Sequence, residues 1–344
     1  MKKETVVKKM ILSDCKELMD GFCQCDDLLR QVYMIGGLGY FALVVDGAIK
    51  WCHRAGIPLQ IKSDDTLEKL RAKVKLFSGD SKISFDEQMK LYEEIIGVEK
   101  QYYLDLQARS GKYCPRFLIP DMGEFMINGH CIGNTIQFAY ELSPFNPQKM
   151  PFTNAVGKKE ANDYPLSYSF AYELGACMQK IIRAISGQSY VLQNCRSVDL
   201  KYSERDIRIS NNRNLRRKNR AIQILNLSCR LNYILELIVP LCNQEALLPL
   251  RIAYLTYYHL QEDLHNLRIS GDIHYHMPYR DNILRKAMAH YSLYGKLDET
   301  DIREDVIGFG LFERTVSADY KIVRSALLSE MKHTRDDLEK YIKV

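Results

Sequence analysis

Apolar residues in this chain recur mostly three and four positions apart, the period of a helix buried on one side. Residues 5–51 are strongly apolar at that spacing, with interruptions expected at Gly21 and around Gly36-Gly37, and Pro58 ends the pattern. A helix beginning at Asp64 or Asp65 and running to Phe77 would carry Leu67, Leu70, Val74 and Phe77 on one face. Ser84-Phe85-Asp86-Glu87 has the form of a capping box and would open a long helix reaching about Arg109. Further helices are predicted over 167–186, 215–239, 245–266 and 279–293. Ser317 would cap a last one whose apolar face runs through Tyr320, Val323, Leu327, Met331 and Leu338.

One stretch breaks this rhythm. Phe117-Leu118-Ile119, Glu124-Phe125-Met126-Ile127 and His130-Cys131-Ile132 flank Asn128-Gly129, the pair best suited to a tight turn, so a small β-hairpin is expected over 117–132. Pro144, Pro147, Pro151 and Pro165 then mark a surface connection and a boundary. The fold class predicted is mainly α. Residues 1–150 would form an N-terminal helical region carrying the hairpin, and residues 165–344 a C-terminal helical bundle.

Composition narrows the class. With 344 residues, 46% of them apolar, the chain can bury one large core or two ordinary ones and is not of the disordered type. The net charge of +5 arises from 48 basic and 43 acidic residues, too balanced to mark a nucleic-acid binder, so local clustering has to carry any such argument. Ten cysteines without a Cys-x-x-Cys pair read as thiols of a reducing cytoplasm. The start, Met1-Lys2-Lys3-Glu4, has no leader pattern. The uncharged stretch 31–45, closed by Asp46, is shorter than the roughly 20 residues that cross a bilayer. A cytoplasmic protein without membrane partners is therefore expected.

The clearest chemical signal is Asp281-Asn282-Ile283-Leu284-Arg285-Lys286-Ala287-Met288-Ala289-His290-Tyr291. At about 100° per residue, Ile283, Leu284, Ala287, Met288 and Tyr291 should face the core. Arg285 and His290 then border that stripe, roughly 140° apart on the polar side and about 7.5 Å apart along the axis. Asn282, Lys286 and the short Ala289 lie between them, making a trough that suits a phosphate or the same face of a second subunit. A permanent cation beside a group that exchanges protons near neutrality is what metal-free RNA cleavage requires. Asp281, one turn before Arg285, is placed to orient the guanidinium, and Tyr291 adjoins the histidine. The same spacing also fits an ordinary helix in which Arg285 pairs with Asp281 and His290 is a satisfied histidine at the helix end.

This segment resembles the signature of the HEPN superfamily (higher eukaryotes and prokaryotes nucleotide-binding), whose ribonuclease members carry Arg-x4-6-His on a helix of a small all-α bundle. The match is Arg285 and His290, and the likeness covers about the last third of the chain. It implies an endoribonuclease that uses no metal or other cofactor. Arg285 would hold the scissile phosphate, and His290 would exchange a proton with the 2′-hydroxyl or the departing 5′-oxygen. It further implies a homodimer with a composite site, a toxin or anti-phage abortive-infection role, and a neutralising or regulatory partner. Two positions depart from the family pattern: Lys286, where a small polar residue or His is usual, and Ser292, where the toxin branch often has Tyr. Lys286 is the basis of the alternative expectation, a non-catalytic helical module that binds nucleic acid or a partner.

Two other clusters compete for attention. The basic run 201–220 includes Arg205 and Arg208, and Arg213, Arg216, Arg217, Lys218 and Arg220 are assigned to RNA-backbone contact; a solvated face is the plainer reading. His274-x-His276, near Asp272, His259, Glu262, Asp263 and His265, has residue types that hold divalent metals, although residues 259 and 265 would splay apart on a helix. His274 and His276 would otherwise line an RNA path.

Overall fold

The computed structural model describes residues 3–75, 90, 108, 122–142, 165–192, 198–207, 219–243, 245–266, 273–291, 302–303, 306–307 and 309–342. Outside that set fall the expected helix over 84–109, except residues 90 and 108, the hairpin's first segment 117–119 and the proline-rich connection 143–164. Arg208, Arg213, Arg216, Arg217 and Lys218 fall outside it too.

The mainly helical expectation holds: α-helices dominate the described residues, with a three-stranded antiparallel sheet and a two-stranded ladder. Helix α1 spans Lys3–Gln24 and α2 spans Asp27–Arg54. The break between them falls at Cys25-Asp26, not at a glycine. Asp26 caps α2, its side chain accepting from the Leu29 N–H at 2.8 Å. Arg30 closes α1 by donating to the carbonyls of Phe22 and Cys25 at 2.9 and 2.8 Å. Gly36 and Gly37 leave α2 unbroken because they seat the ring of Tyr233: a Cβ on Gly36 would lie 2.5 Å from it. The resulting helix is long and apolar enough to cross a membrane by length and composition, and its apolar window is wholly buried inside the molecule.

Helix α3, Asp65–Ala72, is capped by Asp64 and tightens into a 3-10 turn, Lys73–Lys75. The hairpin forms as β1, Met122–Ile127, and β2, His130–Asn134, around Asn128 and Gly129, both at positive φ. Strand β3, Tyr202–Ile207, pairs antiparallel with β1 on its other edge, giving the order β2-β1-β3. Helices α4, Thr135–Leu142, and α5, Pro165–Ser186, follow the sheet and the connection respectively. Helix α6, Asn219–Asn232, continues through a π-helical stretch, Tyr233–Ile238, into Val239–Leu241.

Helix α7 is Leu247–Asn266, α8 is Asn282–His290, α9 is Phe309–Val316 and α10 is Tyr320–Ile342. A two-stranded ladder, β4 Ile302–Arg303 with β5 Val306–Ile307, lies between α8 and α9. Apolar side chains from Val7 near the start to Leu338 near the end belong to one contiguous core. The Arg-x4-His helix is thus held by elements from both ends of the chain.

Candidate active site

Helix α8 is shorter than the periodicity suggested. Asp281 starts it as N-cap, accepting from the Leu284 N–H at 2.7 Å, and Tyr291 ends it in the left-handed conformation at φ 43°. Leu284, Ala287, Met288 and Tyr291 are buried as expected, but Ile283 is 54% exposed. The first turn of α8 meets hydroxyls instead of an apolar surface. Tyr254 on α7 accepts from the Asp281 N–H at 3.0 Å and lies 3.1 Å from the Tyr279 carbonyl, and Tyr258 donates to the Asn282 side chain at 2.8 Å. Asp281 therefore caps a helix, accepting at its carbonyl from the Arg285 N–H at 3.1 Å, and Asn282 anchors to α7.

The other end of α8 is fixed by a buried ionic clamp. Arg251, on α7 and fully buried, donates to the Asp14 carboxylate and to the Met288 carbonyl, one of the last acceptors of α8. Tyr291 donates to the same Asp14 carboxylate at 2.6 Å, and its ring lies under the Arg251 guanidinium at 4.1 Å. Tyr291 reaches this seat because residue 47 of α2 is glycine: a Cβ there would sit 2.8 Å from its ring. Tyr291 is therefore a core anchor that sets where His290 stands, not part of the polar trough.

His290 itself is half-buried and engaged. Arg71, from α3, donates to its Nδ1 at 2.6 Å and to the Ala289 carbonyl at 3.1 Å. The same guanidinium is paired with Asp46, a fully buried carboxylate on α2 that also accepts from Ser63 Oγ at 2.5 Å and lies 3.0 Å from Lys50 Nζ. Burial would push the Asp46 carboxyl up, but the hydrogen bonds from Ser63, Arg71 and Lys50 overcome it and hold the group below the usual carboxylate range. His290 moves down to about 4, first because burial disfavours its charged form and then because Arg71, Arg285, Arg251 and Lys75 repel a further positive charge.

Arg285 sits differently. It is partly accessible, makes no ion pair among the described residues, and leaves its Nε buried without a hydrogen-bond partner among them. Its guanidinium lies 5.5 Å from the centre of the Tyr258 ring, a contact that holds a cation without neutralising it. Beyond Tyr258 stands His259, buried and 3.5 Å from Glu262; burial lowers its proton affinity, Glu262 opposes that, and Arg285 and Lys75 add to it. Arg285 and Lys75 thus act on both histidines. Lys286 points into solvent.

The remaining expected residues are dispersed. Arg220 begins the first turn of α6, but its side chain, like Arg213, Arg216, Arg217 and Lys218, lies outside the described set. Within the same basic run, Arg205 is taken by buried Glu124 across the β1–β3 ladder, with Nε donating at 2.9 Å. His274 Nε2 lies 3.2 Å from Glu330 on α10, away from the Glu262 that holds His259. No three His, Cys, Asp or Glu side chains gather as a metal group among the described residues.

Sequence reading missed Arg71, Asp46, Asp14 and Arg251. Asp46 and Arg251 stand alone among apolar neighbours, and a buried charge demands a partner, but the partner lies far along the chain; Asp14 and Arg71 sit among other charged residues and carry no such signal. Compared with known proteins, the chain matches no family model, no curated protein and no solved structure.

Proposed function

We propose that this chain is a metal-independent endoribonuclease of the HEPN type, with Arg285 and His290 as its reacting pair. The observation that carries this reading is the state of Arg285. It is an arginine without a carboxylate partner among the described residues, placed on one nine-residue helix with a half-buried histidine and close enough to lower that histidine's proton affinity. A guanidinium without a carboxylate partner among the described residues, bearing with Lys75 and Arg71 on the same histidine, is suited to a phosphodiester, whose charge it can meet through paired N–H donors. Arg285 would hold the scissile phosphate as the 2′-oxygen attacks phosphorus and the 5′-oxygen departs, leaving a 2′,3′-cyclic phosphate. Arrival of the anion offsets part of the surrounding positive charge; burial and the Arg71 N–H on Nδ1 remain, so His290 would have to release Arg71 before its ring could take the 2′-hydroxyl proton and pass one to the departing 5′-oxygen. A homodimer would bring a second copy of the pair to the same RNA. A toxin or abortive-infection role in the cytoplasm, under a neutralising partner, follows from the HEPN resemblance.

A second reading is favoured by one observation: Nδ1 of His290 is already occupied by Arg71. In that reading the cations bind RNA without cutting it. The two are separated by incubating the purified protein with RNA in EDTA. Cleavage that survives chelation, fails on a 2′-deoxy substrate and is lost in both Arg285→Ala and His290→Ala supports the ribonuclease. Salt-sensitive binding without cleavage, undisturbed by His290→Ala, supports the binding module.

A further inference from the structure

The guanidinium of Arg71 stands between a carboxylate sealed in the core and the ring of His290. One edge meets Asp46, whose own position is fixed by Ser63 and Lys50. The other edge reaches the Ala289 carbonyl and His290 Nδ1 together, so the end of α8 and its histidine ring are gripped by one planar group. Arginine carries donors only and keeps its proton at any ordinary pH, so Nδ1 must be the acceptor. The ring is therefore neutral, with its proton on Nε2, at the edge away from Arg71. Among the described residues, the charges bearing on that ring are Arg71 from α3, Lys75 from the 3-10 turn, Arg251 from α7 with Asp14 of α1 behind it, Arg285 from α8 itself, and Asp46 of α2 through Arg71.

We propose that Arg71, held by Asp46, is the positioning residue of this site: it fixes the tautomer and orientation of His290, presenting Nε2–H, and holds the ring neutral. Arg71 is separated from the Arg-x4-His helix by more than two hundred residues, so the N-terminal part of the chain supplies a working part of the site. The catalytic meaning of this role rests on the ribonuclease reading; the grip on His290 does not.

The test is an NMR titration of the His290 ring in the full chain, assigned by the signal lost in His290→Asn. The wild type should reach half-protonation near pH 4. In Arg71→Gln the proton affinity of the ring should rise severalfold, with the midpoint still below the ordinary value of about 6.5 because burial, the larger cause, remains. An unchanged midpoint overturns the proposal. If Arg71→Gln does not fold, the double variant Asp46→Asn/Arg71→Gln decides: with the buried carboxylate neutralised no charge is stranded, so a raised midpoint supports the assignment and an unchanged one overturns it. Where the wild type cleaves RNA, the pH profile of cleavage by Arg71→Gln should move with the titration; an unmoved profile removes Arg71 from the reaction while leaving the ribonuclease reading intact. Should no protein cleave, the ribonuclease reading fails and the titration alone judges the grip.

Discussion

Arg251 and Arg285 lie on two helices packed against each other, and their surroundings could hardly differ more. Arg251 is fully buried and donates through Nη1 to Asp14 and through Nε to a helix carbonyl; Arg285 is partly accessible and touches an aromatic face, with no carboxylate partner among the described residues. A paired, buried arginine is a fastener, because removing its partner leaves a charge stranded in a low-dielectric interior. An arginine near the surface without a counter-ion is a vacancy for an anion. The difference separates what holds α8 in place from what α8 offers to a ligand.

Breaking the buried side should have the largest effect. Arg251→Ala strands the Asp14 carboxylate and frees the end of α8, which should cost about 3–5 kcal/mol in urea unfolding. Gly47→Ala drives a methyl group into the Tyr291 ring and should cost about 1–3 kcal/mol, with His290 displaced as a second, spectroscopic sign.

Acid sharpens the comparison without a mutation. His290 is pushed down in the folded chain to about 4, whereas the unfolded chain takes up that proton near 6.5. Between those limits the unfolded state binds more protons, so the contribution of His290 to stability is complete above about pH 6.5 and lost as the pH falls toward 4. Urea midpoints should decline over that window, and His290→Gln should decline less. The smallest effect belongs to the outermost pair, Lys50 with Glu68, where Glu68→Ala should change stability by about 0–1 kcal/mol because the Glu68 side chain is well exposed and Lys50 keeps Asp46.

Much of the scaffold was legible from local signals. Asn128-Gly129 encodes its turn through two adjacent positive φ angles, and the apolar period of α10 marks its buried face directly. Helix boundaries were less so, because caps such as Asp26 and Asp281 outweigh glycines and periodicity: Gly36-Gly37 became a seat for Tyr233, and Ile283 fell outside the packed stripe. Strand β3 was hidden by composition, since Tyr202-Ser203-Glu204-Arg205-Asp206-Ile207 reads as part of a basic run until Glu124 is set beside Arg205. Of the site, sequence gave access to Arg285 and His290 through one helix's spacing. It could not reach Arg71, because that contact depends on how α3 and α8 are laid side by side by the whole fold.

The most direct measurement is single-turnover cleavage of an RNA oligonucleotide in EDTA by the wild type and by Arg285→Ala, with urea unfolding of both proteins alongside. The account predicts that Arg285→Ala slows cleavage by about 10²–10³-fold while changing stability by no more than about 0.5 kcal/mol. Undiminished cleavage by Arg285→Ala, or none by the folded wild type, would contradict it.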